Sequence, residues 1–107
     1  MSKNSIILRE LKKLLSRKIG DNISDLIIFG SQLVSGKKEN SDYDILIVLK
    51  NNYDWKTKEI IRHTCYDISL QFDIVIDSKI ISINELYHTP LGMDFLYQEA
   101  LRTGLRA

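Results

Sequence analysis

The chain reads as an α/β (α+β) fold, a small mixed sheet with helices packed on it, and three observations predict this. Apolar residues at three- and four-residue spacing alternate along the chain with short runs rich in Ile, Leu and Val. Those runs are bounded by Gly, Asn, Asp and Ser, the residues that turn a backbone. With 107 residues, 44% of them hydrophobic and 27% charged, the chain suits one hydrophobic core, so a single domain over 1–107 is expected.

The first element is an amphipathic helix from Ser5 to Lys18, with Ile7, Leu8, Leu11, Leu14 and Leu15 on one side and Gly20 as its stop. Ile23 to Phe29 is short, rich in Ile and Leu, and flanked by Asp21-Asn22 and Gly30-Ser31, which predicts a buried strand. A short helix is expected to start at Ser31. Gly36 to Ser41 is a polar turn, and Asp42 to Leu49 (DYDILIVL) has the β-branched character of a second strand. Asp54 can cap a helix running to about Ser69, and Phe72 to Ile76 (FDIVI) reads as a third strand. The tail holds two helical patterns, Ile83 to His88 and Leu91 to Arg102, with Pro90 in a first-turn position and Gly104 as a stop.

Composition narrows the function classes. Fifteen Lys and Arg against fourteen Asp and Glu give a net charge of +1, which lacks the basic surplus that drives binding to a phosphate backbone, so nucleic acid is not the expected partner. The one cysteine, Cys65, can form no internal disulfide, and a reducing cytoplasm fits it. Charged residues interrupt the N-terminal segment every few positions, so neither a signal peptide nor a membrane span is expected there. Two lysines in a polar turn, Lys37 and Lys38, are expected to be solvated, and His63 and His88 have no spacing that suggests a shared metal.

The chemistry concentrates in five residues. Asp42 and Asp44 are two apart in a strand and project from one face, so two like charges converge. A cation between them relieves the repulsion, and hard carboxylate oxygens suit Mg²⁺. Asp73 stands one residue into the expected third strand, where a carboxylate needs an exposed strand end or a partner. If that strand neighbours the one Asp42 opens, three carboxylates share a site that can hold two metal ions roughly 3.5–4 Å apart. Asp77, four residues on, reads instead as the start of the next turn. Gly30 lets the backbone approach a ligand closely, and Ser31 adds a hydroxyl beside free N–H groups that favour phosphate.

These residues carry a resemblance. FGSQLVSGKKENSDYDILIVL resembles the signature of the polymerase-beta-type nucleotidyltransferases: Gly-Ser, ten residues, Asp-x-Asp, then an apolar strand. Within that superfamily the chain is most similar to minimal nucleotidyltransferase (MNT) domains, the antitoxin partners of HEPN-domain toxins, where a third acidic residue opens a later strand as Asp73 does in FDIVI. The resemblance implies that Gly30 and Ser31 contact nucleotide phosphates and that Asp42 and Asp44 bind both Mg²⁺ ions. It implies that Asp73 binds one ion and helps to activate the acceptor hydroxyl. It further implies ATP as donor and a tyrosine of a HEPN toxin as acceptor. Two positions depart from the usual pattern: Gly36 falls one place later in the loop, and Tyr43 replaces an aliphatic residue. Two other functions share the motif or the fold. One is a module that neutralises its partner by binding alone; the other is a nucleotidyltransferase for a small molecule or RNA, working with a partner subunit. Homo- and hetero-oligomers are both compatible with the sequence.

Overall fold

The computed structural model describes residues 2–30 and 42–107. The expected short helix at Ser31 and the Gly36 to Ser41 turn lie outside those residues. α1 (Lys3–Ile19) is capped by Ser2, whose hydroxyl accepts from the Ser5 N–H at 3.1 Å. It ends at Gly20, whose φ of +68° is the left-handed conformation that glycine adopts at least cost. β1 (Ile23–Phe29) follows, with the predicted boundaries. β2 (Tyr43–Leu49) pairs antiparallel with it, and a register irregularity between Ile23 and Asp25 turns Ile23 to the same side as Leu26 and Ile28.

α2 (Trp55–Phe72) starts as expected at Asp54, whose carboxylate accepts from the Thr57 N–H at 3.0 Å. It continues almost a full turn beyond the expected end because Ile68 and Phe72 still pack on the core. The helix closes on Asp73 in the left-handed conformation, φ 54°, with the Asp73 and Ile74 N–H groups both donating to the Ser69 carbonyl. The third strand is therefore not Phe72 to Ile76. β3 (Ile76–Ser82) begins where that segment was expected to end, and it lies parallel to β2 over seven residues, from Tyr43↔Ile76 to Leu49↔Ser82.

α3 (Ile83–His88) opens with a capping box: Ser82 Oγ accepts from the Glu85 N–H and Glu85 Oε1 accepts from the Ser82 N–H, both at 3.1 Å. A 3₁₀ turn (Pro90–Met93) leads to α4 (Phe95–Thr103), capped by Asp94, so the last predicted helix is split in two. The chain finishes in β4 (Leu105–Arg106), a two-residue strand antiparallel to β1 that the sequence pattern did not announce.

The sheet order is β3-β2-β1-β4, a mixed sheet as expected. Strand alternation sends Tyr43, Ile45, Ile47 and Leu49 to one face, where they pack with Ile7, Leu11 and Leu15 of α1 and Ile61 and Ile68 of α2. Leu46 and Val48 point the other way, with Ile27, Phe29 and Ile81, against Leu86 of α3 and Ala100 of α4. Three layers result, helices on both faces of one sheet. Among the described residues, no helix is long and apolar enough to cross a membrane.

Candidate functional site

The α3/α4 layer covers its sheet face incompletely, and the uncovered end is where the acidic residues gather. Asp44 is on the same face as Leu46 and Val48, one pair of residues nearer the start of β2. Its neighbours are set by register: Phe29 of β1 on one side and Asp77 of β3 on the other. Gly30 follows Phe29 directly and turns the chain at φ +80°. A Cβ at that position would stand 2.6 Å from Asp44 Oδ2 and force the carboxylate aside, and the positive φ itself favours glycine. Asp42 is exposed immediately before β2. Lys79, two residues beyond Asp77 on the same face, reaches back to it, with Nζ 3.1 Å from Asp77 Oδ1.

These groups line a cleft of about 540 Å³ walled by Phe29, Gly30, Asp44, Asp77 and Lys79, with Phe95 and Leu96 of α4 on its rim. Partial burial raises the Asp44 carboxyl above the ordinary carboxylate range; Asp77 adds to the rise, Lys79 opposes it, and Asp42 adds again. The carboxylates are thus close enough to feel one another. Among the described residues, no three acidic, imidazole or thiol side chains enclose a cation unaided. The cleft is open, and its acidic donors are carboxylate oxygens. Such a set fits a divalent cation such as Mg²⁺ that completes its shell with phosphate oxygens and water.

Of the expected residues, the structure brings Gly30 and Asp44 together, with Asp42 at the near end of the same strand. Ser31 lies outside the described residues. Asp73 is not beside Asp44: it ends α2, exposed, three residues ahead of β3, and the place expected for it is taken by Asp77. A signal for this exists in the sequence. Ser82-Ile83-Asn84-Glu85 is a capping-box pattern, so the preceding strand must run up to Ser82, and a strand ending there places Asp77 near its beginning. The lysine two residues later, Lys79, was missed for the same reason. Cys65 is buried between α2 and the sheet, and burial pushes its thiol up to about 11, so it is a packing residue.

Comparison with known proteins agrees with this geometry. The family described as polymerase beta, nucleotidyltransferase matches residues 9–91. Spectinomycin 9-adenylyltransferase of Enterococcus faecalis is 27% identical over 106 residues, an alignment covering 89% of this chain and 40% of that enzyme. A protein of Methanocaldococcus jannaschii, named as a candidate protein adenylyltransferase, is 36% identical over 70 residues, 65% of this chain and 71% of its own. The chain thus spans less than half the length of the first of these relatives. A solved toxin-antitoxin structure, that of a mutant MntA-HpeT, superposes with a TM-score of 0.57 at 18% identity, covering 99% of this chain and 72% of that one, a likeness of fold. With the family match spanning most of the chain and the Gly30, Asp44 and Asp77 arrangement in place, the protein belongs to the polymerase beta nucleotidyltransferase family.

Proposed function

We propose that this protein transfers AMP from ATP to a hydroxyl of a partner protein, a tyrosine of a HEPN-domain toxin, and so acts as an antitoxin. The observation that carries the reaction is the strand register: Asp44 and Asp77 side by side, with the Gly30 turn against Asp44. The names of the relatives, adenylyltransferases for a small molecule and for protein, support the adenylyl group, and the toxin-antitoxin neighbour supports the kind of partner.

Asp42, Asp44 and Asp77 would hold the metal, and Mg²⁺ when bound would supply positive charge to the triphosphate and to the attacking oxygen. Gly30 lines the cleft beside Asp44, where phosphate oxygens would enter, and the family resemblance gives Ser31, the next residue in the sequence, the part of a phosphate donor. The acceptor hydroxyl attacks the α-phosphorus in line. The bond to the bridging oxygen of the β-phosphate breaks, pyrophosphate leaves, and the hydroxyl proton passes to a carboxylate. Asp77 has that role here, since it lies on the edge strand of the sheet, open to an incoming partner. Phe95 and Leu96, exposed beside the cleft, offer the partner an apolar rim.

Labelled ATP, Mg²⁺ and a HEPN-domain toxin encoded beside this protein give the test. Label should pass to the toxin with the wild-type protein and fall by at least about a hundredfold with Asp77→Asn, the loss typical of a missing catalytic group. Asp73→Asn should leave transfer unchanged; loss of transfer on that substitution, with Asp77→Asn active, would return the third position to Asp73. The same exposed rim also favours a second reading, neutralisation by binding alone. Full toxin protection by a folded Asp42→Asn, Asp44→Asn double variant would decide for it.

A further inference from the structure

Among the described residues, one cation lines the cleft with the carboxylates. Lys79 is in register with the fully buried Leu46, so its side chain starts over an apolar floor, and its ammonium turns to Asp77 at 3.1 Å with the side chain only 35% exposed. Surface lysines ordinarily keep their ammonium in water and their rotamers free. Lys79 instead holds its ammonium on Asp77 at the mouth of the cleft, and its charge also acts on Asp44 and on Tyr97 of α4. Its place on the Asp77 face follows from strand alternation.

Taking the cleft to be the nucleotide site proposed above, we infer that Lys79 is its resident cation: it neutralises Asp77 when the cleft is empty, and it turns to the triphosphate when nucleotide enters. The two roles have opposite consequences. An ammonium beside Asp77 repels a bare divalent ion, so removing it tightens metal binding. The same ammonium attracts phosphate oxygens, so removing it weakens nucleotide binding. A lysine that merely supports the fold would weaken both or neither.

The experiment uses Mn²⁺ as the metal probe, with free ion followed by electron paramagnetic resonance, and calorimetric titration with MgATP. Wild type is compared with Lys79→Met, Lys79→Gln and Lys79→Arg, and circular dichroism verifies that each is folded. A charge several Å from a divalent ion near a wet surface predicts about tenfold tighter Mn²⁺ binding in the Met and Gln variants. MgATP binding should weaken about tenfold in both, and Arg should restore both values toward wild type. Unchanged Mn²⁺ affinity in Met and Gln, with wild type binding normally, overturns the role of Lys79 and leaves the cleft as the metal site. No Mn²⁺ binding by wild type or any variant overturns the metal reading and this inference together.

Discussion

Replacing Asp44 by Asn removes the central charge of the cleft and keeps the size of the side chain. Neighbouring strands place paired residues about 4.8 Å apart, so the Asp44 and Asp77 carboxylates repel by about 1 kcal/mol at an effective dielectric of about 60. The partial burial of Asp44 adds the largest cost, Lys79 offsets part of the Asp77 repulsion and Asp42 adds a smaller one, for a net on the order of 1 kcal/mol against the metal-free fold. The pH dependence has the same sign. A carboxyl whose folded-state pKa lies above its ordinary 3.8 favours the fold most below that pH, and the contribution is lost as pH rises through the folded value. Asp44→Asn is therefore expected to raise the melting temperature in EDTA at pH 7 by about 4 °C for a chain of this size. In about 10 mM MgCl₂ wild type should gain about 1.4 kcal/mol if its Kd is about 1 mM, and the variant should not. Differential scanning fluorimetry in both buffers reads this directly. A variant that melts below wild type in EDTA, or that gains as much from Mg²⁺, would refute the placement of Asp44 among like charges and metal.

Three further outcomes follow from the same structure. Gly30→Ala puts a Cβ 2.6 Å from Asp44 Oδ2 at φ +80°, so unfolding in urea should show a loss of about 1–2 kcal/mol together with weaker Mn²⁺ binding; unchanged values for both would mean that the turn is not held there. Ser82→Ala removes the buried capping box between β3 and α3 and should lower stability by about 1–2 kcal/mol, measured by the same urea transition, while a cost near zero would deny the cap its role. The Cys65 thiol, buried and with its pKa pushed up to about 11, should react with a disulfide reagent at pH 8 on the order of a hundredfold slower in the native protein than in guanidinium; comparable rates would place it at the surface.

Local chemistry made much of this fold legible. Ile23 to Phe29 reads as a strand because turn residues bracket it, and Gly20 and Asp54 mark a helix end and a helix start through their own backbone and side-chain preferences. The third strand failed on competition between local and tertiary terms. FDIVI has the stronger strand composition, yet Phe72 contributes more as the last residue of α2, packed on the core, and the partner strand β2 offers seven residues that IDSKIIS matches in full. A polar strand segment at a sheet edge leaves a faint trace in single-sequence patterns, and with it went Asp77 and Lys79. Asp44 needed no tertiary information to be placed on the face of Leu46 and Val48, because alternation within one strand is a local rule, whereas Asp42 stands just before β2. The two-residue β4 owes its existence to the exposed edge of β1, which no property of Leu105-Arg106 foretells.

The left-handed stop at Asp73 sets the phase of everything after it. Between that stop and β3 lie only Ile74 and Val75, and the Val75 carbonyl already accepts from the Tyr43 N–H at 2.8 Å, locking the incoming chain to β2. Because a strand alternates faces with every residue, one residue added or removed in this link would rotate Asp77 and Lys79 out of the cleft and bring Ile76 or Ser78 into it. The candidate site then depends on the length of a two-residue connector that supplies none of its groups. Changes of length there should be as damaging to activity as loss of the carboxylate itself, while changes of composition that preserve length should be tolerated.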